Sequence, residues 1–294
     1  MKFITDSEKL LVELARSHRH LYDYAIDYET SRQEKSREEV LSEMDNMLSA
    51  MENSIHHACE KPIRSISGLT GGDAYRYSEY IRSQSSILGE IGSYAALFAL
   101  STSETNAAMG RIVACPTAGS CGIVPAVLFS VAQKYHKNHE DLRKALFTSS
   151  AVGMIIATKA TLAGAEGGCQ AECGSASAMA AAAVVEMLGG SPEQAFHAAA
   201  MALKSVLGLV CDPVAGLVEI PCIKRNTSGA LNALLQADLA LAGVKSYIPF
   251  GEVVDAMYRI GKQMDSSLKE TAMGGLAVTP TGIRLKKQVL DTLT

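Results

Sequence analysis

"GAEGGCQAECGSASAMAAAA", Gly164 to Ala183, sets two thiols four residues apart between glycine-rich turns, just where the chain becomes almost pure small-residue helix. The rest of the sequence has the same character. Hydrophobic residues make up 48% of the 294 but aromatics only 5%, with no Trp, so the apolar mass is Ala, Leu, Val, Ile and Met. That composition favours close-packed helices. Apolar residues recur at helical spacing nearly everywhere, as at Leu10, Leu11 and Leu14 and again at Val40, Leu41, Met44 and Met47, while strand-like alternation is scarce. The expectation is an all-α fold, a large Ala-rich multi-helix domain over 1–294 with glycine-rich loops carrying the site.

Working outward, residues 141–158, 174–188 and 192–208 read as three successive buried helices, the last opened by Ser191 as N-cap and Pro192 at the first helical position. Upstream, 1–60 is the most charged part and reads as two long surface helices in an antiparallel hairpin. Gly71 and Gly72 then free the backbone for a tight turn, with Asp73 placed to lead a helix. An Ala-rich helix follows over 85–110. Pro116 to Gly122 reads as a loop delivering its amides to the start of an apolar helix. Downstream, Pro213 and Pro221 push Asp212 and Ile220 out of helical geometry, so Cys211 and Cys222 stand at the ends of an irregular segment. Helices resume over 226–242 and 250–268, and the tail from Gly274 is glycine-rich and then basic.

Several function classes recede on composition. The net charge of -4 is spread without a basic block, which disfavours nucleic acid and anionic membranes and leaves a small-molecule substrate. Lys159 and Glu186 interrupt the most apolar windows before either reaches the roughly 20 residues a bilayer needs. The start is amphipathic and charged, without a secretory apolar core, so a cytoplasmic location is expected. Seven cysteines, an odd number, then point to reduced thiols available for metal or catalysis.

The thiols divide by context. Cys59, Cys115 and Cys121 read as small buried hydrophobes. Cys169 differs because Gly167 and Gly168 let backbone amides approach its sulfur, and such donors stabilise a thiolate or a cluster sulfide. Cys211 and Cys222 sit in the proline-bracketed turn. The spacings match neither zinc fingers and ribbons nor the ferredoxin run. A cluster held by three scattered thiolates, with one iron open to substrate as a Lewis acid, is a sharper reading that no local signature fixes.

The motifs "LTGGDA", "NAAMGRIVACPTAGSCGIVPA", "GGCQAECGSASAMAAAAVVEMLGG", "LGLVCDPVAGLVEIPCIKRN" and "GGLAVTPTG", in that order from Leu69 to Gly282, resemble the alpha chain of the two-subunit, iron–sulfur-dependent L-serine dehydratases. The resemblance implies a 4Fe-4S cluster held by Cys169, Cys211 and Cys222, with Cys173 as helix packing close to it. It implies L-serine as substrate, dehydrated and deaminated to pyruvate and ammonia, and a separate beta chain in a hetero-oligomer. Thr117, Gly119 and Ser120 are then the cradle for the substrate carboxylate, Lys224 and Arg225 a clamp for carboxylate or cluster charge, and Gln170 and Glu172 groups that orient substrate ammonium or cluster hydrogen bonds. None of the seven histidines lies in these loops, which points to a catalytic base on the beta chain. Two alternatives remain: a related lyase acting on L-cysteine, and a non-catalytic helical scaffold whose thiols are structural.

Overall fold

Asp6 begins the first helix because its carboxylate accepts the backbone N–H groups of Glu8 and Lys9, both at 3.1 Å. The computed structural model describes residues 3–293 and contains thirteen α-helices over them, with no β-strand, so the chain is all-α as its periodicity predicts. The charged first sixty residues differ from the expected hairpin. They form three helices, α1 (Ser7–Ser17), α2 (Leu21–Gln33) and α3 (Arg37–His57). The breaks fall where His18 and Glu34 take left-handed backbone angles, with φ of 51° and 54°, and neither is the glycine that usually marks such a stop. These helices are also not a free-standing pair, since α2 packs mainly on α7 (His139–Lys159) and α3 on α5 (Gly89–Ala107).

Between α3 and α5 lies α4 (Asp73–Ser83), and α6 (Ile123–Tyr135) follows α5. After α7 come the single turn α8 (Gly164–Gly167), then α9 (Ser175–Met187) and α10 (Pro192–Lys204). The chain ends with α11 (Cys222–Leu241), α12 (Phe250–Gln263) and α13 (Pro280–Leu293). Capping chemistry explains the clearest starts: Ser36 with Glu39, Asn138 with Asp141 and Ser191 with Gln194 each exchange side-chain and backbone hydrogen bonds across the first turn. The irregular segment ends sooner than the sequence implies, because α11 begins at Cys222, directly after Pro221, rather than at 226.

α9 is the axis of the molecule. Every one of its residues is buried, enclosed by α6, α7, α10 and α11. Alanine and serine make it thin, which lets its neighbours approach on all sides. Glu186 is the charged exception in this helix. Its carboxylate accepts the Leu21 backbone N–H at 2.8 Å and the Thr148 hydroxyl, joining the central helix to the start of α2 and to α7. His20 Nδ1 lies 3.4 Å away, and the carboxylate holds this imidazole above its ordinary value of 6.5.

Glycines serve the same closeness at a few points. Gly261 of α12 faces Gly167, and a Cβ on it would lie 2.8 Å from the Gly167 Cα, so two backbones meet where a side chain would part them. This contact fixes the turn that leads to Cys169.

Two outcomes are expected. Gly261→Ala should lower the unfolding free energy by about 1–3 kcal/mol through overpacking against backbone, outweighing the helix-propensity gain of at most about 1 kcal/mol, as read by chemical denaturation. Because the folded-state value of His20 is raised, stabilisation from its charged form is full below about pH 6.5 and is lost as pH rises through the raised value. Glu186→Gln should therefore depress the melting temperature more at about pH 5.5 than at about pH 8.5.

Candidate active site

Three helix starts converge at one end of the bundle. The turn before α6 carries Thr117 to Ser120, a π-helical turn over 170–174 leads into α9, and α11 opens with Cys222 itself. The positive ends of these helix dipoles thus lie near one another at that end of the bundle. A π-turn in an otherwise regular helix is rare and tends to mark functional positions.

Cys169, Cys211 and Cys222 are buried here within electrostatic reach of one another. Burial pushes Cys222 up to about 12, and negative charge on Cys169 pushes the same way. Cys211 is raised further, first by burial and then by the charges of Glu172 and Cys169. Cys169 is the exception, held below an ordinary thiol by its hydrogen bond with Cys173, whose Sγ is 3.4 Å away, with Arg225 helping. Burial likewise pushes Cys115 and Cys121 up to about 12 and Cys59 to about 11.

The cage around these thiols depends on small residues. At Gly168, φ is +76° and a Cβ would lie 2.8 Å from the Leu209 carbonyl, so only glycine fits. At Gly164 a Cβ would lie 2.5 Å from Glu172 Oε2 and 3.1 Å from Cys211 Sγ, and at Gly119 it would lie 2.9 Å from Glu172 Oε1. Glu172 is accordingly enclosed by two glycines. It is buried, accepts the Thr117 hydroxyl at 2.6 Å, and lies 3.8 Å from Cys211 Sγ. Burial raises its carboxyl above the usual range against the opposing pull of Thr117.

Thr117, Gly119 and Ser120 form one short 3₁₀ turn, with Thr117 Oγ1 and Ser120 Oγ 3.2 Å apart. Asn226, which the sequence reading did not single out, fixes that turn to α11. Its Nδ2 donates to the Gly119 carbonyl at 2.8 Å and the Cys222 carbonyl at 2.9 Å, while its Oδ1 accepts the Gly122 N–H at 2.9 Å.

Three of the residues expected to meet substrate are engaged elsewhere. Gln170 is fully buried, and its amide donates to the Gly167 and Met257 carbonyls and accepts the Gly208 N–H, so it braces the backbone beside Cys169. Arg225 donates to the Val210 carbonyl at 2.8 Å and pairs with Asp212 at 2.8 Å, gripping the chain on both sides of Cys211. Asp212 in turn accepts the Leu276 N–H at 2.8 Å. Lys224 is exposed and pairs with Asp73 at the start of α4, while the buried Glu104 accepts the Asp73 and Ala74 amides. Cys211 itself is held by two backbone bonds, its N–H to the Leu268 carbonyl and its carbonyl to the Glu270 N–H.

Four of the seven histidines have neighbours away from this cage: His20 beside Glu186, His139 beside Asp45, His197 beside Glu193 and His56 against Phe98. Among the described residues no group of three or more His, Cys, Asp or Glu side chains is spaced to hold a single metal ion. The donor set instead fits a larger sulfur-bound group: three soft thiols, two of them raised by burial and Cys169 lowered, lie where three helix starts meet.

The family model described as serine dehydratase alpha chain matches residues 16–277. The chain is 51% identical over 282 residues to a probable L-serine dehydratase alpha chain of Bacillus subtilis (strain 168), covering 96% of this chain and 94% of that one. It is 48% identical to the L-serine dehydratase alpha chain of Peptoniphilus asaccharolyticus, covering 92% of each. An L-serine dehydratase of Escherichia coli (strain K12) is 43% identical over 185 residues, 62% of this chain but 40% of that protein. The chain belongs to the serine dehydratase alpha chain family.

Proposed function

We propose that the chain is the alpha subunit of an L-serine dehydratase, a lyase that releases pyruvate and ammonia and works with a separate beta chain in the cytoplasm. The observation that carries this reading is the convergence of Cys169, Cys211 and Cys222 beside the Glu172–Thr117 pair, at the point where three helix starts meet. The names of the Bacillus subtilis and Peptoniphilus asaccharolyticus relatives support the substrate and the existence of a beta chain.

The reaction has two obstacles. Hydroxide is a poor leaving group, and the Cα proton of serine is weakly acidic. A 4Fe-4S cluster held by Cys169, Cys211 and Cys222 would supply the Lewis acid that draws away the β-hydroxyl. The chain's own residues do the rest of the positioning. The turn of Thr117, Gly119 and Ser120 before α6 receives the substrate carboxylate through the Ser120 hydroxyl and backbone amides, while the Thr117 hydroxyl proton is given to Glu172. Glu172 Oε1 is engaged by Thr117, and Oε2, which faces Cys211 Sγ at 3.8 Å, becomes the acceptor for the substrate ammonium when Cys211 is bound as a thiolate. Gln170 and Arg225 hold the backbone on either side of the thiols, and Lys224 with Asp73 lies at the outer edge. A base for the Cα proton comes from the beta chain. Elimination yields an enamine that tautomerises and hydrolyses to pyruvate and ammonia without further catalysis.

Anaerobic isolation together with the beta chain, followed by iron and acid-labile sulfide analysis, tests the reading. Wild type should hold iron and form pyruvate from L-serine, and Cys169→Ser, Cys211→Ser and Cys222→Ser should each lose both properties while Cys173→Ser keeps its iron. A colourless, iron-free wild type would return the chain to a scaffold role, and faster sulfide release from L-cysteine than pyruvate release from L-serine would overturn the substrate. Full activity in the alpha chain alone would refute the placing of the base. Thr117→Val, which removes the hydroxyl on Glu172, should reduce kcat/KM for L-serine by about 10- to 100-fold, the equivalent of one hydrogen bond to a charged group.

A further inference from the structure

Cys173 is a fourth buried thiol in the same cage, and its sulfur lies 3.4 Å from that of Cys169. Two roles are open to a thiol there: a ligand on another iron, or a donor to the ligand already present. Geometry separates them. A corner of an iron–sulfur cube takes one terminal thiolate, and thiolates on different corners are further apart than two metal–sulfur bonds of ~2.3 Å each. A separation of 3.4 Å is too short for that and falls within the range of a hydrogen bond between sulfurs.

We propose that Cys173 is a positioning residue whose thiol, in hydrogen-bond contact with the Cys169 sulfur, becomes the S–H donor when Cys169 binds as a thiolate, setting the reduction potential and stability of the group that Cys169 binds. The π-turn over 170–174 brings the two side chains together. Beyond it the Cys173 carbonyl accepts the Ser177 hydroxyl at 2.8 Å, and the same hydroxyl donates to the Gly229 carbonyl at 2.9 Å, so the donor is anchored to α11 as well as to its own helix. Cys211, by comparison, faces the Glu172 carboxyl. Hydrogen bonds to a ligating thiolate stabilise the more negative, reduced state most, and they raise the potential.

This inference rests on the cluster reading above, so the two must be able to fail separately. Wild type, Cys173→Ala and Cys173→Ser are isolated anaerobically with the beta chain and compared for iron and sulfide content, for midpoint potential by redox titration, and for exchangeable deuterons near the reduced cluster by pulsed EPR in heavy water. All three should hold the cluster. Cys173→Ala should show a more negative potential and a weakened deuteron signal, and Cys173→Ser, which keeps a donor, should return both toward wild type. An alanine variant that holds its cluster with unchanged potential and deuteron signal would overturn the inference and leave the cluster reading standing. Loss of iron from Cys173→Ala to the extent seen with Cys169→Ser would overturn it in favour of a fourth ligand. If the alanine variant does not fold, the serine variant carries the test: loss of its iron or a clear fall in its potential would also overturn the inference. Wild type without iron would overturn both.

Discussion

A helix of alanine and serine can be surrounded, and that constraint organises this protein. α9 has no solvent-facing side, so its neighbours α6, α7, α10 and α11 must all pack against it. Once they do, the starts of α6, α9 and α11 lie together at one end of the bundle, and the loops that feed them share a volume. The residues that carry chemistry are thus gathered by the packing of residues that carry none. Thiols from three distant parts of the chain meet because the helices behind them have a single arrangement that buries so much small apolar surface.

The cage is then made rigid by side chains that serve the backbone. Gln170, Arg225 and Asn226 each hold main-chain groups next to a proposed ligand or to the turn proposed to bind the carboxylate. Polar groups at this depth are costly unless satisfied, and each is satisfied by a carbonyl or N–H that a loop would otherwise leave bare. The site is organised before anything binds, which suits a reaction whose two difficult bonds must be held in fixed relation.

Much of this was legible in the sequence, and the parts that were not have physical reasons. The all-α class followed from helical periodicity and scarce alternation, and the start of α10 from Ser191 and Pro192. Three helices in 1–57 in place of two were hidden because His18 and Glu34 adopt left-handed angles usually marked by glycine, and because the box at α2 uses His20, an uncommon cap. The start of α11 was placed late because Pro213 and Pro221 both signal irregular chain, and only the fold shows that the second one ends it. Asn226 and Asp212 were missed because their partners lie far along the chain, at Gly119 and Leu276, and no local pattern reports such pairs. Glu172 was recognised beside Cys169, but its enclosure by Gly119 and Gly164 is a tertiary fact.

The clasp on Cys211 has a consequence for the order of assembly. Its two backbone bonds and the grip on neighbouring Asp212 are made by residues 268–276, which leave the ribosome well after the thiols themselves. A nascent chain can present Cys169, Cys211 and Cys222 without being able to fix the second of them. Loading of the proposed inorganic group in its final geometry would therefore follow translation of that clasp.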